Sequence, residues 1–308
     1  MEIIVSMLML ALGFFMLVKG ADWFVEGASA IADRFGIPQL IIGLTIVAMG
    51  TSAPEAAVSI TAALKGSADI TIGNIVGSNI LNILIILGIS SIIVPLAVSR
   101  PVLRREIPFM TAVTVLLFWM GVDGKIGFLD GLVLSLIFLL YLGWLFITAR
   151  KSGEVDMAAV VKPSLWKSVL GTGAGLVLII AGSHAAVDGA SNMAEILGMS
   201  ERFIGLTIVA LGTSLPELVT SISAARRGNA DIAIGNIVGS NIFNILFVVG
   251  ISALITPVPF SVGFYIDIVT AVSACILLLC LCVKHHKLSR TGGIVLVAAY
   301  LLYFVMIC

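Results

Sequence analysis

Charged side chains are scarce in this sequence. Asp, Glu, Lys and Arg make up 11% of 308 residues, whereas a soluble domain carries about 25%. With 60% hydrophobic residues and a mean hydropathy of +1.19, that deficit excludes a water-soluble domain and implies a polytopic membrane protein. No glycine opens a G-x-x-x-x-G-K-[ST] run, so the chain lacks the phosphate-cradling loop of an ATP-driven pump. Transport, if that is the function, must draw on an ion gradient. Seventeen basic and seventeen acidic residues cancel, and no nucleic acid partner is expected. The four cysteines, Cys275, Cys280, Cys282 and Cys308, lie in apolar segments without zinc or redox spacing and read as packing residues. His184 is the one histidine of three inside an apolar run, and no serine stands in a nucleophile-elbow setting, so an intramembrane serine enzyme is not expected. No resident cofactor and no obligate protein partner is expected either. The first apolar stretch follows Glu2 rather than a basic segment and reaches Lys19 without a convincing cleavage site, which reads as a first span and not a removed leader.

What remains is long apolar runs punctuated by charge, proline and glycine. They predict an all-α membrane protein of ten transmembrane helices, near residues 3–32, 38–64, 70–94, 106–122, 126–149, 164–194, 200–226, 232–255, 261–283 and 291–307. Taken alternately, the connections hold thirteen Lys and Arg on one side, from Arg34 to Arg290, against Lys65, Lys125 and Arg202 on the other. Basic residues are retained on the cytoplasmic side, so both termini are expected outside. Residues 43–84 align without a gap to 205–246 at a constant offset of 162, with about three quarters of positions identical. The match continues upstream, pairing Gly20 with Gly182 and Gly27 with Gly189. The repeat unit is therefore about half the chain, 1–150 and 151–308. Five spans per unit is an odd number, so the second unit enters the bilayer from the opposite side. This is an inverted-topology repeat, which in secondary transporters places the site near the bilayer midplane.

Each repeat carries a run that lipid-facing helix would not tolerate: Gly50-Thr51-Ser52-Ala53-Pro54-Glu55 and Gly212-Thr213-Ser214-Leu215-Pro216-Glu217. Pro54 has no N–H, so the Gly50 carbonyl loses its helical partner, and Pro216 does the same to Gly212. Both breaks fall at the midpoint of their spans, where non-helical backbone is permitted only against protein or a cavity. Helices broken at the midplane are thus expected. The next spans carry Gly73-Asn74-Ile75-Val76-Gly77-Ser78-Asn79-Ile80-Leu81-Asn82 and its counterpart Gly235 to Asn244. Ser78 and Asn82 share one helix face, as do Ser240 and Asn244. Carboxylate, hydroxyl, amide and carbonyl oxygens suit hard cations such as Ca2+, Mg2+ or Na+. Glu55 and Glu217 together contribute a charge of −2, which balances one divalent ion or two monovalent ions in its place.

The paired G-T-S-x-P-E and G-N-x-x-G-S-N-x-x-N runs resemble the two alpha repeats of the cation/calcium antiporter superfamily, in particular its short prokaryotic sodium/calcium exchanger branch. The resemblance implies an antiporter exchanging Ca2+ for Na+ by alternating access in the plasma (inner) membrane of a prokaryote. It implies Glu55 and Glu217 as central ligands, further oxygens from Thr51, Ser52, Ser78, Thr213, Ser214 and Ser240, and outer sites completed by the carbonyls of Ala48 and Ala210. It also implies that the first and sixth spans slide across the other eight. Some relatives carry Asp where Asn244 stands, and the neutral amide offers no electrostatic reason for co-transported K+. The alternatives are a proton-coupled cation antiporter, which would have to work through Glu55 and Glu217 alone, and a cation channel, against which the inverted relation of the repeats argues.

Other polar residues in these runs have structural readings. Asn79 and Asn241 are expected to tie backbone, by the tendency of Asn to bond nearby main chain. Asp69 and Asp231 are expected as helix N-caps. Asp22 and Glu26, with their repeat equivalents His184 and Asp188, are expected to pair or snorkel at a vestibule.

Overall fold

The computed structural model describes residues 2–66, 68–151, 164–196 and 210–307. These are nearly all helical. In chain order the helices are α1 (Glu2–Phe35), α2 (Gln39–Thr51), α3 (Ala53–Leu64), α4 (Thr71–Ile93), α5 (Val102–Asp123), α6 (Phe128–Lys151) and α7 (Leu165–Ile196). They continue as α8 (Ala210–Thr213), α9 (Leu215–Arg226), α10 (Ala230–Ile255), α11 (Phe264–Val283) and α12 (Arg290–Ile307). Among the described residues eight helices are long and apolar enough to cross a membrane, and the bent pair α2–α3 counts as a ninth if taken as one broken span. The expected span 200–226 lies partly outside the described residues; its latter part is α8 and α9.

Why the chain folds this way follows from where its apolar surface points. The helices carrying the repeated motifs, α4 and α10, are mostly buried, while α1, α6, α7 and α12 expose large apolar side chains around the outside. In a bilayer those outer faces need no cover. The sequence did not indicate two short antiparallel pairings that strap the connections: β1 (Leu96–Ala97) with β4 (Lys287–Leu288), and β2 (Lys125–Ile126) with β3 (Val258–Pro259). Each joins a connection of one half to a connection of the other.

α1 and α7 pack along their length in opposite directions. Gly13 lies against Gly182 and Gly20 against Gly175, all at intervals of seven along their helices. A Cβ on Gly20 would stand 2.8 Å from the Gly175 carbonyl oxygen, and one on Gly182 would stand 2.8 Å from that of Gly13. Only glycine allows backbones to approach so closely, which is the small-residue packing of membrane helices. The four glycines are two repeat-equivalent pairs, and their antiparallel meeting is the geometry of an inverted repeat.

Candidate ion-binding site

Both motif helices break at equivalent residues. Helix α2 ends at Thr51, Ser52 has φ −83° and ψ 7°, and α3 leaves at an angle of 51°. In the second half Ser214 has φ −92° and ψ 3° between α8 and α9. Pro54 and Pro216 then occupy the first turn of the new helix, where a missing N–H costs nothing. Glu55 and Glu217 stand in those same first turns, each beside the positive end of its own helix. That placement helps a carboxylate persist where only 1% of either residue is exposed. Neither glutamate forms an ion pair among the described residues.

The two halves interlock through these segments. Ser52 Oγ donates to Glu217 Oε1 at 2.8 Å. Thr51 Oγ1 donates to Asn236 Oδ1 at 3.0 Å and lies 3.3 Å from the Ala48 carbonyl oxygen, which Ser240 Oγ also reaches at 3.4 Å. Four asparagines form a two-fold set. Asn79 Nδ2 donates to the Asn241 carbonyl and Asn241 Nδ2 to the Asn79 carbonyl, both at 3.2 Å. Asn82 Nδ2 donates to Asn241 Oδ1 at 2.9 Å, and Asn244 Nδ2 to Asn79 Oδ1 at 3.1 Å. Asn79 and Asn241 thus bond backbone, but that of each other across the repeat boundary and not the nearby main chain expected from the sequence. Asn82 and Asn244 each open a π-helical turn, Asn82–Leu87 and Asn244–Val249, a local widening that is frequent at functional sites.

With their amide nitrogens committed in this way, Asn82 Oδ1 and Asn244 Oδ1 are left without a hydrogen-bond partner, as are Glu55 Oε2, Glu217 Oε2 and Ser214 Oγ. A buried polar atom without a partner costs about 1–3 kcal/mol, more if charged. All five belong to the repeated motifs, and all are oxygens of the type that coordinates hard cations. Of the other sequence-derived candidates, Ser78 is buried, Thr213 is half-buried, and Ala210 lies in α8.

Several contacts were not anticipated from the sequence. Asn74 Nδ2 donates to Ser59 Oγ, and Asn236 Nδ2 to Ser221 Oγ, both at 2.9 Å, and each amide also reaches the carbonyl oxygen of its own repeat's glutamate, Glu55 at 3.3 Å or Glu217 at 3.4 Å. Their recurrence at the repeat offset was the available signal. The Gly212 carbonyl freed by Pro216 accepts from Ser183 Oγ of α7 at 2.7 Å. Asp69 and Asp231 are not caps: Ala68 and Asn229 occupy those positions. The connections turn through Gly66 and Gly228, with φ of 77° and 80°; helical backbone resumes at Asp69 itself in the first half and at Ala230 in the second, leaving Asp231 in the first turn.

Residues 5–147 and 167–308 match the family model described as sodium/calcium exchanger protein. Among curated relatives, the putative antiporter CaxA of Alkalimonas amylolytica is 38% identical over 97% of this chain and 98% of its own. Inner membrane protein YrbG of Escherichia coli is 36% identical over 97% and 95%. A solved structure of the sodium–calcium exchanger NCX_Mj, soaked with zero Na+ and Ca2+, superposes with a TM-score of 0.88 at 33% identity and covers 99% of this chain and 100% of that one.

Proposed function

The chain belongs to the sodium/calcium exchanger protein family, and from that premise we propose how its two halves carry out the exchange. It is a multi-pass membrane protein and a secondary antiporter of Ca2+ and Na+. In our reading the central site is built on Glu55 and Glu217, with the amide oxygens of Asn82 and Asn244 and the hydroxyls of Ser52, Ser78, Ser214 and Ser240. Thr51 and Thr213, with the Ala48 and Ala210 carbonyls, extend it to flanking sodium sites. One Ca2+ balances the two carboxylates; when it leaves, Na+ ions restore the balance. The ions are cargo, and no resident cofactor is needed.

The observation that carries this reading is that five of the thirteen buried side-chain oxygens without partners among the described residues gather on these motif residues, two of them on carboxylates. An ion that supplies the missing interactions would offset a cost of several kcal/mol. The units 1–150 and 151–308 act as two inverted halves, and α1 with α7 slides along the remaining helices to change which side has access. The glycine seam supports that motion by packing α1 and α7 backbone against backbone, so that the two helices can move as one pair. We place the protein in the plasma membrane of a prokaryote with both termini outside. The relative named an inner membrane protein and the uneven distribution of Lys and Arg support this placement.

The test is calcium uptake into proteoliposomes loaded with Na+, compared with choline-loaded proteoliposomes bearing a pH gradient, K+ being absent from both. Uptake driven by the Na+ gradient is the expected result. Uptake driven by the pH gradient alone would replace sodium coupling with proton coupling.

A further inference from the structure

Outside the ion site, a cavity of about 510 Å³ lies between α5 and α6. It holds a buried carboxylate that the exchange chemistry does not use. Glu106 is 2% exposed, and its Oε2 accepts a hydrogen bond from the Tyr141 hydroxyl at 2.9 Å. The Tyr141 ring is stacked between Phe109, at 4.8 Å between centroids, and Trp144, at 6.1 Å. The Arg105 guanidinium lies 5.7 Å from the Trp144 centroid and forms no ion pair among the described residues, although Glu106 is its neighbour in sequence. Leu140 and Trp144 at the mouth are 74% and 37% exposed on the outer face of the bundle, so in a membrane the cavity opens toward lipid.

Depth and charge narrow the occupant. Arg105 lies in the first turn of α5, on the end that also carries Arg100 and Arg104, where a spanning helix meets the head-group layer. Phe109 is four residues further along α5, about 6 Å deeper, and forms an apolar floor with Ile137. A polar entrance over an apolar floor matches a phospholipid, with its head group at the level of Arg105 and acyl chain below. The lining carries one positive and one negative group. A phosphate satisfies Arg105, but a purely anionic head group would leave Glu106 facing more negative charge. A carboxylate accepts up to about four hydrogen bonds; a primary ammonium has three N–H donors, and a quaternary one has none.

We propose that the groove between α5 and α6 binds a zwitterionic phospholipid whose head group ends in a primary ammonium, with its phosphate toward Arg105 and its ammonium toward Glu106. The other half of the molecule contains an internal control. Tyr303, the repeat equivalent of Tyr141, donates to Asp267 at 2.7 Å, and Asp267 is the repeat equivalent of Arg105. The tyrosine–carboxylate bond therefore recurs as a brace between helices, but without the cation beside it, and Ala271 and Met306 replace Phe109 and Trp144. Only the first half combines the brace with an arginine and an aromatic wall.

The experiment measures lipid bound to the delipidated, detergent-solubilised full chain by native mass spectrometry. Equal concentrations of ethanolamine-headed, choline-headed and glycerol-headed anionic phospholipids of one acyl composition are supplied. We expect one ethanolamine lipid to bind roughly tenfold more tightly than the choline lipid, as befits a hydrogen bond to a charged group. Glu106→Gln should erase that preference, Arg105→Ala should weaken both zwitterionic lipids, and Tyr303→Phe should change neither. Because Glu106 is buried, Leu140→Trp serves as a second variant: at the exposed mouth it fills the groove without touching the brace, and it should abolish the bound lipid. Equal retention of all three lipids, tightest binding of the anionic lipid, or undiminished ethanolamine binding by Leu140→Trp would overturn the proposal.

Discussion

The two repeats share most of their motif sequence yet are not in the same state. Their buried asparagines are disposed with near-perfect two-fold symmetry. The bonds of Asn74 and Asn236 are symmetric too, but several other contacts differ. Ser52 donates to Glu217, whereas Ser214 Oγ, its equivalent, has no partner. Arg227 of the second repeat lies 3.5 Å from Asp22 and 3.3 Å from Glu26 of α1, with Ser223 donating to Asp22 at 2.8 Å and Asn229 to Ser29 at 3.0 Å. Lys65, the equivalent of Arg227, forms no ion pair among the described residues. A carrier built from two inverted repeats leaves two-fold symmetry whenever one exit is open and the other closed. On alternating access the asymmetric contacts are expected on the side that is shut, which makes the end of α1 near Asp22 the side to test.

The largest expected effect breaks the shared feature. Glu55→Gln and Glu217→Gln should each reduce calcium exchange by more than about a hundredfold while the protein still reaches the membrane, since leaving one buried charge of a set uncompensated costs roughly 3–5 kcal/mol. Isotope flux in proteoliposomes checks this, and near-normal exchange by either variant would remove the two-carboxylate site.

The next effect sharpens the difference between Ser52 and Ser214. Ser52→Ala removes a bond to a charged acceptor and should destabilise the ion-free protein by about 1.5–3 kcal/mol. Ser214→Ala deletes a hydroxyl with no partner and should leave ion-free stability almost unchanged while weakening calcium binding. Thermal unfolding without ions, followed by calcium titration, separates the two. Equal destabilisation would mean that the asymmetry is not a property of the protein in solution.

Arg227→Ala tests the closed side. Its ion pairs are about one-third exposed on the arginine side, and pairs of that kind contribute about 0.2–1 kcal/mol each. Loss of both should shift the balance between the two access states roughly two- to thirtyfold toward opening beside Asp22, read as faster thiol labelling of a cysteine placed at Ser223. Unchanged labelling would show that the latch does not hold this side. The smallest effect concerns Ser183, whose equivalent in the first repeat is Ala21. Ser183→Ala should cost about 1 kcal/mol by leaving the Gly212 carbonyl without its donor, measurable as a small fall in Tm.

Local chemistry made the spans, the repeat and the breaks legible. Apolar runs long enough to cross a bilayer declare themselves, and proline beside glutamate in the middle of one is too costly to be incidental. Asn79 and Asn241 were readable only in kind: they bond main chain, but each other's across the repeats rather than the nearby backbone that local amide chemistry suggests. What stayed hidden were partnerships between distant positions: Arg227 with Asp22, Ser183 with the Gly212 carbonyl, Glu106 with Tyr141. Each depends on how helices are juxtaposed, which hydropathy does not encode. Glu106 did offer a signal, being a carboxylate at the start of a span. The capping expectation failed because the glycine turns set where α4 and α10 begin, and Asn229 spends its side chain on Ser29 rather than on its own helix.

The central claim is that one site between the repeats takes either Ca2+ or Na+ through Glu55 and Glu217. Calorimetric titration of Ca2+ into the purified protein at increasing Na+ tests it most directly. The account predicts one calcium ion bound per chain, displaced by Na+ with a dependence steeper than first order, and lost in both Glu55→Gln and Glu217→Gln. Calcium binding that persists in the double variant, or that Na+ does not displace, would contradict it.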